Sequence, residues 1–192
     1  MQRPPRVTPA RINPIYVVAM LCVAPLARAQ TSETFTATAT VKTSSGITAT
    51  APFSVIVDRF STDKDRDEIL AALKKGGTDA VYSLLLVRPS IGTVIVGNAI
   101  TSIKYVYERA TPDGRLITAV TGSVIGYVGA GVPGASPKYG YYLGLVILEV
   151  AAAGPGHGEL VPATKVRMNE QGAIVTDGYS ADVVQLSNVV GK

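Results

Sequence analysis

From Thr34 the chain alternates apolar and polar side chains with a period of two. Phe35, Ala37, Ala39 and Val41 fall on one face, and Thr34, Thr36, Thr38 and Thr40 on the other. Successive side chains of a strand point to opposite faces, so this pattern fits a half-buried strand and not a helix. Ala51, Phe53, Val55 and Val57 repeat it after the polar turn Thr43-Ser44-Ser45-Gly46, which predicts an antiparallel hairpin. A chain that starts this way must find an apolar partner for a whole sheet face.

At Ser61-Thr62-Asp63 the period changes. Hydroxyl and carboxylate groups there suit a helix N-terminus, and Ile69, Leu70 and Leu73 follow at helical spacing. Lys74-Lys75-Gly76-Gly77 ends that helix, and Thr78-Asp79 can cap a second one carrying Val81, Leu84, Leu85 and Leu86 before Pro89. The pair predicts a helical hairpin over about residues 62–87.

Strand patterns then return at 93–96, 101–109, 115–121, 123–128, 141–150, 159–168, 173–176 and 182–189, with Thr111-Pro112-Asp113-Gly114 a strong hairpin turn. Short turns imply antiparallel neighbours, because parallel ones need long crossovers. Residues 141–153 are the most apolar stretch beyond the N-terminal segment, which predicts a strand buried on both faces; the Gly- and Pro-rich 129–137 read as a long loop. The expected fold class is α+β, mainly β: a single antiparallel twisted sheet or incomplete barrel of about eight strands, with the helical hairpin inserted after the second.

The first 29 residues read as a cleavable signal peptide. Arg3, Arg6 and Arg11 charge the N-terminus, residues 15–26 are apolar, and Ala27-Arg28-Ala29 offers small residues around a cut. Pro14 and Pro25 bracket an apolar run shorter than the roughly 20 residues of a membrane span, so no stable membrane anchor is expected after cleavage. Cys22 raises a lipoprotein alternative, which Leu21 disfavours at a position that should be small. Four of the 18 basic residues and none of the 14 acids lie in this segment, so residues 30–192, read as one domain, are charge-balanced. The basic excess thus belongs to the leader and gives no reason to expect nucleic acid as a partner. The lone cysteine leaves with it, excluding an internal disulfide or thiolate site.

Each candidate for chemistry has a structural counterpart. Gly129-Ala130-Gly131-Val132-Pro133-Gly134 has dinucleotide-loop spacing, but prolines follow where a helix should start. Ser61 and Lys64 fit a serine–lysine pair, although Ser and Thr are also helix caps. Asp63, Asp65 and Asp67 alternate as in a calcium loop, but Glu68 stands where the turn glycine belongs. His157 is the single histidine, too little for an ordinary zinc site. No catalytic residue, metal or cofactor is assigned on these grounds. Tyr105, Tyr107, Tyr127, Tyr141 and Tyr142 are the candidate ligand-binding residues, since tyrosines on a sheet offer an apolar ring with a polar tip.

Asp58-Arg59-Phe60-Ser61-Thr62-Asp63, the Pro112-Asp113-Gly114 turn, the strand from Tyr142 to Glu149 and Ala163-Thr164-Lys165 carry a further signal. On these residues the chain resembles a family of small secreted bacterial proteins of uncharacterised function. The resemblance implies bacterial origin and export, to the periplasm or beyond, and brings no activity. The functional expectation is an exported, non-enzymatic protein binding a small apolar ligand or a protein partner in the cell envelope. Two alternatives are a hydrolase-like enzyme using Asp58, Asp63 or Glu149 with Ser61 or His157, and a structural envelope protein.

Overall fold

The computed structural model describes residues 32–42, 46, 48–129, 132–133, 138–169, 174–178 and 183–192. The predicted leader and part of the 129–137 loop lie outside them. Along the chain run β1 (Glu33–Lys42), β2 (Thr48–Val57), α1 (Asp63–Leu86), β3 (Gly92–Val96), β4 (Ala99–Thr111), β5 (Gly114–Thr121), β6 (Tyr127–Gly129), β7 (Val132–Pro133), β8 (Leu143–Ala151), β9 (Gly156–Met168), β10 (Ile174–Gly178) and β11 (Val184–Gly191).

The structure is mainly β, and its sheet is closed rather than open or incomplete. Strands β1-β2-β3-β4-β5-β8-β9-β11 form an antiparallel ring of eight, because β8 pairs with β9 and β11 with β1, while β10 adds a ninth strand beside β9. Alternation shows which face of a strand is buried, but not which edges meet; the closing contact joins Phe35 to Gly191 across nearly the whole described chain. Closure leaves the eight strands no open sheet edge along their paired lengths. The strand expected at 123–128 is reduced to β6, which pairs only with β7 in a separate ribbon lying against β1, β2 and β3.

Inward side chains fill the barrel. Phe35, Phe53, Ile103, Ile117, Leu148 and Leu160 are among the largest, all essentially inaccessible to solvent. Eight strands enclose a space that side chains can just fill. A bulge at Lys104 shifts β4 against β5, from Ile103 opposite Thr121 to Tyr105 opposite Val120. The extra residue reverses the facing, so Ile103 and Val106 point inward while Tyr105 and Tyr107 point out. At one end of the barrel Arg115 lies 5.6 Å from the Phe35 ring centre and pairs with Glu33 and Glu108.

Val57 and Gly92 are register partners, so the segment between them must leave and return to the same place. It does so as two helical arms broken at Gly76 and Gly77, where Gly77 takes a φ of 60° that only glycine adopts without strain. A straight 24-residue helix would be about 36 Å long. Arg88 nevertheless bonds to Asp65 at 3.1 Å and Glu68 at 2.6 Å, so the arms double back. A capping box starts the first arm: the Asp65 amide donates to the Thr62 hydroxyl, and the Thr62 amide to the Asp65 carboxylate. The Thr62 amide and hydroxyl both donate to the Asp65 carboxylate and hold it below its ordinary pKa. Thr78, expected to cap the second arm, instead turns to the sheet.

Candidate ligand-binding groove

The hairpin attaches to the barrel where strand edges are left uncovered. β3 pairs with β4 only as far as Ile103, and beyond it the Ser61 amide donates to the Val106 carbonyl while the Val106 amide donates to the Ser61 hydroxyl. On the far side β8 pairs with β9 only as far as Thr164. Beyond that point the Thr78 hydroxyl donates to the Val166 carbonyl and accepts from the Val166 amide, both at 2.8 Å. Backbone groups that would otherwise be unmet are thereby satisfied. The hairpin spans the outer face of β4, β5, β8 and β9 from one uncovered edge to the other.

Beneath it lies a groove of about 470 Å³, within the range of small-molecule sites. Ile69, Leu70 and Leu73 from the first arm and Val81 and Leu85 from the second form its roof. Its floor is the outward face of the sheet: Tyr105 and Tyr107 of β4, Thr118 and Val120 of β5, Leu143, Leu145 and Ile147 of β8, and Val166 of β9. The strand expected to be buried on both faces is so over its first half, with Val146 in the barrel and Leu143 and Leu145 under the hairpin, whereas Glu149 further along the outer face is exposed.

The polar features gather around the two tyrosines. Their rings lie nearly parallel, with centres 6.3 Å apart. The Tyr107 hydroxyl donates to Asp63 at 2.7 Å and accepts from Arg66 at 2.8 Å, and the Arg66 guanidinium also pairs with Asp63 and Asp67. The bond to Asp63 raises the Tyr107 pKa, and that to Asp67 raises the Arg66 pKa. Tyr105 is only 7% exposed, and burial pushes its phenol up to about 12, so it stays a neutral donor at physiological pH.

Of the five tyrosines singled out from the sequence, Tyr105 and Tyr107 line this groove, whereas Tyr141 and Tyr142 do not. Tyr142 stacks on Tyr82 of the second arm with centres 4.6 Å apart, a clamp on the hairpin. Tyr141 sits beneath Lys165, whose ammonium is 4.5 Å from the ring centre. The side chain of Tyr127 lies outside the described residues. The apolar floor and roof were missed as site residues, because a core-facing and a ligand-facing apolar side chain have the same signature.

The candidates for chemistry are dispersed. Ser61 is bound to the Val106 backbone, Asp63 to Tyr107 and Arg66, and Asp65 to the helix cap and Arg88. Glu149 and His157 do meet, as cross-strand partners 3.2 Å apart, but they stand on the outer surface at 59% and 73% exposure. Among the described residues no cluster of His, Cys, Asp and Glu could hold a metal, and no helix is long and apolar enough to cross a membrane. Comparison with models of protein families, with curated proteins and with solved structures finds no match to this chain.

Proposed function

We propose that this is a non-enzymatic bacterial protein that binds a small apolar ligand between its helical hairpin and the outer wall of its barrel, outside the cytoplasm. The groove carries the reading: about 470 Å³ lined by aliphatic and aromatic side chains, with few polar groups to orient a guest. Export rests on the charged, apolar and small-residue order of residues 1–29. The exposure of the Glu149–His157 pair favours binding over hydrolysis, since acid–base catalysis works best in a concave, water-poor setting.

Titration with the neutral naphthalene ketone Prodan, whose emission moves to the blue in apolar surroundings, tests the reading. Saturable binding with one site per chain is expected, lost when Val120→Trp fills the floor. Unchanged binding in that variant, with its circular dichroism intact, would place the probe elsewhere and defeat the proposal.

A further inference from the structure

Resting on that reading of the groove, we propose that the hairpin is a gate hinged at its base: its tip lifts from β9, breaking the Thr78–Val166 bonds and parting Tyr82 from Tyr142, and closes again over the ligand. Exposure is uneven along the groove. Ile69, Leu70, Thr118 and Ile147 are half-buried and form its open side. Leu73, Val81 and Leu85 above, and Tyr105, Leu143 and Leu145 below, are each less than a tenth exposed. A guest larger than water reaches these inner side chains only when roof and floor part, and they part most readily where the roof is held least.

That place is the tip. At the base the chain is continuous with β2 and β3, and Ser61 bonds to the Val106 backbone through both its amide and its hydroxyl. The Tyr107 hydroxyl adds bonds to Asp63 and Arg66, and the Lys104 ammonium donates to the Arg88 carbonyl at 2.9 Å. Arg88 joins the two arms through Asp65 and Glu68, so they move as one body. At the tip, among the described residues, the only hydrogen bonds to the barrel are the two of the Thr78 hydroxyl, with the Tyr82–Tyr142 stack one helical turn further along. Both bonds depend on one oxygen atom, and water can take its place at the Val166 amide and carbonyl when the tip lifts. The first arm is roughly 20 Å long, so a rotation of about 10° at the base raises the tip by about 3–4 Å. Opening by this route leaves every barrel ladder whole.

The test is stopped-flow binding of Prodan to three forms of the full chain. These are the unmodified protein, Thr78→Val, and a Cys22→Ser chain with Tyr82→Cys and Tyr142→Cys, bridged by a short bis-methanethiosulfonate and reopened with dithiothreitol. A gate that opens before binding scales entry and exit by the same open fraction. Thr78→Val should therefore raise the association and dissociation rates together, each roughly tenfold, with Kd changed less than about threefold. The bridged chain should take up and release Prodan at least about tenfold more slowly than the same chain after reduction. If Thr78→Val does not fold, the bridged and reduced forms decide alone. Equal rates in those two forms, or a Thr78→Val effect confined to dissociation, would overturn the gate while leaving an apolar groove in place. Failure of Prodan to bind the unmodified chain would instead remove the groove reading, and the gate with it.

Discussion

The two faces of β4, β5 and β8 have similar apolar composition and different fates. Inward, Val106, Ile117, Ala119, Val146 and Leu148 converge with side chains from the five other barrel strands, and the space is filled. Outward, Tyr107, Thr118, Val120, Leu145 and Ile147 face a helical hairpin that leaves about 470 Å³ between roof and floor. The difference lies in how each face is covered. Strands around a ring are drawn together by every ladder they share, whereas the hairpin is suspended from Ser61 at one uncovered edge and Thr78 at another. Apolar side chains alone do not decide between a core and a binding site; attachment of the covering element does.

Substitutions on the two faces should therefore separate stability from binding. Phe35→Ala in the filled interior is expected to cost about 3–5 kcal/mol in denaturant unfolding, whereas Val120→Trp on the groove floor should cost about 1 kcal/mol or less and abolish Prodan binding. Equal costs would mean that the groove is as tightly packed as the core. Thr78→Val, which leaves the Val166 amide and carbonyl unmet, should cost about 1–3 kcal/mol and speed hydrogen exchange in the second arm before the barrel strands. Thr62→Ala removes the cap of the first arm for about 1 kcal/mol.

Proton linkage sharpens the same division. The Tyr105 phenol has its pKa raised from 10.0 to about 12 in the folded protein, so the stability it contributes is whole below pH 10 and declines as pH rises toward 12. Tyr105→Phe should lose that part of the alkaline decline. Asp65 is shifted the other way: its contribution is present above its ordinary pKa of 3.8 and is lost as pH falls through the lowered value. Asp65→Asn should flatten the corresponding acid limb. Both are read from the denaturation midpoint against pH.

The local elements were legible and the long-range ones were not. Alternation in β1 and β2, the Pro112-Asp113-Gly114 turn and the Gly76-Gly77 break each act through neighbouring residues, and each was visible in the sequence. Closure depends on β11 meeting β1, which no local pattern records. The side of the sheet on which Tyr105 falls relative to Ile103 depends on a bulge at Lys104 that alternation conceals. At the site, the pairing of Tyr105 with Tyr107 was evident from their spacing. The contribution of β8 was evident only as apolarity, and the role of Thr78 as a bridge to Val166 required the fold.

The most direct measurement is a crystal of the full chain pressurised with xenon, which settles in dry apolar cavities. The account predicts anomalous density under the hairpin, beside Val120, Leu143 and Leu73, and none inside the barrel among Phe35, Ile117 and Leu148. Xenon inside the barrel, or no xenon under the hairpin, would contradict it.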